Sequence, residues 1–221
     1  MEYIDNKEIL KSFYIQNGLL ESFNHDNEYI EKAFNEINKI WIDNLNIIDT
    51  VNFIMIAEAP LWGQNKKYIY NPKINNSQFF YRSDLSDILK ISIIDKTGFI
   101  KTLSDIGFII LDISPFPLNQ TDTVINYRTM TTNQYRQLVG LTIPYFFKQK
   151  LKLISNKLSG GCKTFFRYSR VKMTFEDLIC DELIKNKIIN NKSEVGDISK
   201  NGGGIDKEKL KEMLQSKFQL I

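Results

Sequence analysis

Residues 51–64 read VNFIMIAEAPLWGQ. The first seven form a short apolar run rich in branched side chains, the pattern of a strand covered on both faces. Pro60 and Gly63 then punctuate the chain as a turn. Glu58 stands between the two, a single carboxylate at the end of a buried strand. A second run of this kind, GFIILDI at 107–113, stops at SPFPLN, because two prolines in three residues forbid its continuation. CKTFFRYSRV at 162–171 predicts a third strand and EVGDIS at 194–199 a weaker fourth.

Helical patterns lie between these strands. In residues 27–45, Ile30, Phe34, Ile37 and Trp41 recur at three- and four-residue spacing, so the segment predicts an amphipathic helix. Residues 84–105 predict a helix broken near Gly98. Residues 131–158 open with Thr caps and predict a long helix that Pro144 kinks or divides. Residues 174–187 predict a helix capped by Thr174, and a last helix follows the NGGG turn. Residues 64–80 are polar and aromatic, contain Pro72, and predict a long loop of the kind that is often functional.

Alternating strands and helices imply βαβ units. The expected fold is a three-layer α/β/α domain with a central, mostly parallel four-stranded sheet. It spans residues 1–221 as one domain, with a helical segment over 1–48 packed on it. In such sheets ligands bind beyond the carboxyl ends of the strands. Glu58, Asp112, Ser169 and the loop 199–204 all fall there.

Composition narrows the function classes. No run of 18 apolar residues exists, so no membrane span is expected. The start, MEYIDNKEIL, is acidic and carries no apolar signal-peptide region, and the two cysteines, Cys162 and Cys180, are far apart. These features predict a reducing, cytoplasmic setting with no disulfide framework and no zinc site. His25 is the only histidine and lies in a polar stretch, which suits a surface position better than a triad or metal site.

The net charge of +3 hides an asymmetry. Residues 1–60 hold eleven acids against four lysines. Residues 123–175 hold no acid and ten basic side chains, from Arg128 to Lys172. Such a block suits a polyanion, DNA above all, or else pairs with the acidic N-terminal part once the chain folds.

Three segments, in order, resemble the uracil-DNA glycosylase superfamily. One branch of that family follows its first strand with Gly-Glu-Ala-Pro-Gly, where this chain has Ala57-Glu58-Ala59-Pro60-Leu61. The family's aromatic loop leading into a helix is matched by QFFYRSDLSDIL, with Phe79, Phe80 and Tyr81 before Leu85. Its second strand ends in Asn before a proline-containing loop, and here Asp112 takes that place in GFIILDISPFPLN. The resemblance covers roughly residues 50–170. The chain departs from the pattern at Ala57 and Leu61, which stand for two glycines. It also carries SKNGGG where the family has a His-Pro-Ser motif.

The resemblance implies a DNA glycosylase-like protein that takes a nucleobase out of the stack and hydrolyses its N-glycosidic bond without metal or other cofactor. Glu58 would position water or stabilise sugar charge. Its plainer role is to cap the next helix or pair with Lys66 or Lys67. Ala59, Phe79, Phe80 and Asp112 would form the base pocket, and the Phe pair is equally suited to core packing. An ionised Asp112 only accepts hydrogen bonds, so it favours a base with an exocyclic amine over plain uracil. Alternatively it braces the SPFP loop. Ser169, Arg170, Lys200, Asn201, Gly202 and Gly203 are candidates for the DNA backbone, with the glycine turn either holding phosphate or simply turning. Two further readings stay open: a non-catalytic nucleic-acid- or partner-binding protein of the same fold, and an enzyme acting on a free nucleobase or nucleoside.

Overall fold

The computed structural model describes residues 1–74, 82–200 and 204–215. Two helices come first, α1 (Tyr3–Gln16) and α2 (Leu20–Asn46), followed by β1 (Val51–Ala57). α3 (Arg82–Leu89) and α4 (Lys96–Asp105) lead into β2 (Phe108–Asp112). α5 (Thr132–Thr142) and α6 (Phe147–Ser155) precede β3 (Leu158–Phe166). α7 (Ser169–Lys185), a short 3-10 turn, β4 (Gly196–Asp197) and α8 (Lys207–Gln215) complete the order.

The four strands form one open, all-parallel sheet in the order β2-β1-β3-β4, flanked by helices in an α/β/α arrangement. β1 therefore pairs with β2 on one side and β3 on the other. The chain leaves β1 towards one edge and later returns to its opposite side. That reversal opens a crevice between the carboxyl ends of β1 and β3, the topological switch point of a doubly wound sheet.

The sheet is buried where its strands are apolar, over most of β1 and β2 and the last residues of β3. Phe53, Ile54, Ile56, Ile109, Leu111, Phe165 and Phe166 have no exposed surface. α2 docks on the sheet through Trp41, which is fully buried and donates its indole N–H to the Ile110 carbonyl at 2.9 Å. Lys157 closes the end of α2, donating to the carbonyls of Leu45 at 2.9 Å and Ile48 at 2.6 Å. A second apolar cluster, including Tyr14, Phe34, Phe116, Leu138 and Phe146, joins α1 and α2 to the segment after β2.

Several boundaries differ from the sequence expectations, each for a local reason. The expected strand 162–171 runs from Leu158 to Phe166, and Ser169, Arg170 and Val171 belong to α7. Thr174 is thus no cap: its hydroxyl donates to the Arg170 carbonyl within the helix at 2.9 Å. The break in 84–105 falls at 90–95, where Asp95 caps α4 by accepting from Gly98 N at 2.7 Å. The long helix 131–158 is two helices, α5 and α6, divided at 143–146 around Pro144. In the loop after β1, Tyr68 and Tyr70 turn inward and are buried.

Candidate functional site

A cleft of about 660 Å3 opens at the carboxyl ends of β1, β2 and β3, at the switch point. Ala57 comes to it from the end of β1, Glu58 and Ala59 from the turn that follows, Asp112 from β2, and Arg167 from the position after β3. Arg170 reaches it from the first turn of α7, and Tyr135 from α5. β1 and β2 pair Ala57 with Asp112, so the two candidate acids leave adjacent strand ends.

Glu58 is held by an arginine. Arg170 Nη1 donates to one carboxylate oxygen at 2.9 Å and Nη2 to the other, a two-pronged pair. The Glu58 side chain is 16% exposed and that of Arg170 65%, so the pair lies at the cleft mouth with the cation outermost. The Glu58 hydrogen bonds raise the Arg170 pKa further and keep the guanidinium charged. The Glu58 carbonyl accepts from Ser114 N at 3.1 Å and from the Tyr135 hydroxyl at 3.4 Å, which locks the strand end in place. Lys66, one of the two lysines expected beside Glu58, pairs with Glu36.

Asp112 lines the cleft yet is 2% exposed. Its carboxylate accepts from the Tyr68 hydroxyl at 3.4 Å. Burial pushes its pKa up from 3.8 to about 6, while the Lys150 charge and the Tyr68 bond oppose that rise. Lys150 is itself fully buried, its ammonium 4.6 Å from the Trp41 ring centre and 4.3 Å from that of Phe146. Burial lowers its pKa to about 8, with the Asp112 charge acting against the shift. Its Nζ has no hydrogen-bond partner among the described residues.

Aromatic rings form the walls. Tyr127 and Tyr135 meet edge to face with centres 5.1 Å apart, and Tyr135 meets Phe175 at 5.4 Å. The Tyr127 hydroxyl donates to the Phe116 carbonyl at 2.7 Å, which ties the proline loop to the wall. Burial raises the pKa of both phenols, so they stay neutral. The Arg167 guanidinium stacks over Tyr168 at 4.1 Å, with Arg170 at 5.7 Å from the same ring.

The remaining candidates lie on or beside this edge. Ala59 lines the cleft. Ser169 begins α7 and donates its N–H to Ser199 Oγ at 2.9 Å, and Ser199 Oγ in turn donates to Asp197 at 2.6 Å. Lys200 is exposed, and its N–H bonds the Gly204 carbonyl at 2.8 Å. Phe79, Phe80, Asn201, Gly202 and Gly203 lie outside the described residues. The tyrosines and Lys150 carry no sequence signal of a site, since single aromatics and one lysine in a basic run have no diagnostic spacing.

The basic stretch divides between several fates. Arg136 pairs with Asp177, Arg170 with Glu58 and Lys172 with Glu176. Among the described residues Arg128, Lys148, Lys152 and Lys163 form no ion pair, and Glu58 is the one acid of residues 1–60 that pairs with the stretch. Among the described residues no three His, Cys, Asp or Glu side chains group so as to hold a metal ion, and no helix is long and apolar enough to cross a membrane.

Comparison with protein-family models, with curated proteins and with solved structures gives no match to this chain.

Proposed function

We propose that the strand-end cleft holds a nucleobase turned out of a DNA strand, with the phosphate chain crossing the rim at Arg170. The observation that carries this reading is the make-up of the cleft: tyrosine walls, a buried carboxyl on Asp112, a buried guanidinium on Arg167 and an exposed one on Arg170 at the mouth. Flat aromatic faces hold a base of any sequence, and arginines hold its phosphates. The resemblance over residues 50–170 points the same way. The carboxyl of Asp112, ionised above about pH 6, accepts but does not donate. A base with an exocyclic amine therefore fits better than uracil.

Hydrolysis of the N-glycosidic bond is the catalytic form of this reading, with Glu58 meeting water or sugar charge. A non-catalytic binding protein is the second form, and one observation favours it. Both carboxylate oxygens of Glu58 are taken by Arg170, so a substrate would meet an ion pair and not a free base.

The test is binding of labelled single-stranded oligonucleotides carrying one cytosine, adenine, uracil or deaminated base, followed by alkaline cleavage to reveal abasic sites. Binding is expected to prefer amine-bearing bases and to weaken by about tenfold or more between ~50 and ~200 mM salt. Arg170→Gln should weaken it several-fold. Abasic sites that form with the wild type and vanish in Glu58→Gln support catalysis; binding without abasic sites supports the second form. Salt-insensitive binding, or none, overturns both.

A further inference from the structure

Arg170 reaches the cleft from the first turn of α7, a helix of 17 residues whose N-terminus carries no side-chain cap. The start of such a helix favours an anion nearby. The anion that Arg170 holds is the chain's own: Glu58, gripped through both oxygens by the two Nη groups. Arginine takes a phosphate in the same form, two N–H groups onto two oxygens of one anion. The Nη1–Nη2 fork serves one anion at a time, so Glu58 occupies the place where a phosphate would bind.

The pair lies where an incoming anion can reach it. The Arg170 side chain is 65% exposed and that of Glu58 16%. An ion pair whose cation is this open to water is weakly held. Lys67, also exposed and in the cleft lining, forms no ion pair among the described residues and adds positive charge for a polyanion.

The two partners differ in freedom. Arg170 is a long side chain whose outer part faces solvent. Glu58 is short, and its backbone carbonyl is fixed by Ser114 N at 3.1 Å and the Tyr135 hydroxyl at 3.4 Å. When the pair parts, the guanidinium moves outward and the carboxylate stays in the cleft. Its charge there acts on the Tyr127 and Tyr135 phenols of the wall.

We propose that Arg170 is a latch on Glu58 that a phosphodiester opens: the phosphate chain takes the guanidinium, and the carboxylate is free in the cleft only while DNA lies on the rim. No covalent bond changes; one anion replaces another in the fork. Glu58 thus meets water or sugar charge as a free carboxylate once the chain is bound, and is covered when the cleft is empty. The inference rests on the reading of the rim as the path of the phosphate chain.

The experiment uses a labelled single-stranded oligonucleotide made of abasic tetrahydrofuran sites, which presents phosphates and no base. Its binding to the full chain is followed by fluorescence anisotropy. Glu58→Gln, which removes the competing anion and keeps the shape, should bind it several-fold more tightly than wild type. Arg170→Gln should bind it several-fold more weakly. In the Arg170→Gln background, Glu58→Gln should make no difference, because its effect runs through the guanidinium. Unchanged or weaker binding by Glu58→Gln overturns the latch. So does a gain that persists without Arg170, which would be general charge repulsion. On the 15N-labelled wild type, the Arg170 guanidinium signals should move as the base-free chain saturates; signals that stay in place overturn the proposal even if a variant fails to fold. Because no base takes part, the outcome is separate from base recognition: oligonucleotides whose bases are discriminated while Glu58→Gln leaves the base-free chain unaffected keep the cleft and remove the latch.

Discussion

Asp112 ends a strand whose five residues are all buried, and this burial sets its chemistry. Its pKa in the folded protein, about 6, lies above the ordinary 3.8, so the neutral carboxyl favours the folded state. That contribution is fully present below pH 3.8 and is lost as pH rises through 6. Asp112→Asn keeps the shape and does not titrate. Its stability relative to wild type should improve by up to about 3 kcal/mol between roughly pH 4 and 6.5, as read by denaturant unfolding at each pH. A constant difference across that window would show that Asp112 does not carry the shift. Lys150 stays charged throughout, since its lowered pKa of about 8 lies above the window. The same titration should alter base preference in the cleft, because a protonated Asp112 donates as well as accepts.

At the scale of elements, the α4–β2 junction sets the β1–β2 register that brings Ala57 opposite Asp112. Gly107 makes that junction with a left-handed φ of 69°, and a Cβ there would stand 2.1 Å from the Thr50 carbonyl. Both the backbone and the space demand glycine. Gly107→Ala should cost about 2 kcal/mol or more, measured by thermal unfolding; a neutral result would mean that β2 can shift without loss. This residue stood out in sequence only as the start of GFIILDI. The apolar strands β1 and β2 were legible because both faces are covered and no polar alternation interrupts them. β3 was misplaced because its first residues are partly or fully exposed and read as loop, and only Phe165 and Phe166 carry the apolar signal. The start of α7 was invisible because Tyr168 caps it without a side-chain hydrogen bond, whereas Thr174 resembles a cap. α5, by contrast, announced itself: Thr131 and Gln134 form a reciprocal capping box, as the threonine-rich start suggested.

For the whole molecule, the helices before the sheet are part of its core. Tyr14 of α1 and the backbone of Val124 both donate to Asp26 of α2, at 2.6 and 2.7 Å, and Asp26 is fully buried. The two apolar clusters share Met1, Tyr29, Tyr127 and Met130 at their borders. The chain should therefore unfold in one cooperative transition, with calorimetric and van't Hoff enthalpies in agreement. An early separate transition would make α1 and α2 an independent unit.

What the sequence by itself determined is the class of fold and the edge of the sheet that matters. Unbroken apolar runs can be buried only in a two-sided sheet, and the proline turns at 60 and 115–117 fix where those runs end. Glu58 and Asp112 were placed at that edge on that reasoning alone. Their states were decided only by the tertiary structure. Arg170, 112 positions away from Glu58 in the chain, becomes its partner because α7 begins at residue 169 on the strand next to β1. Lys150 becomes the charge that acts on Asp112, because packing removes water from groups whose spacing along the chain says nothing about their surroundings. Periodicity reports which face is buried; it does not report which polar groups burial brings together.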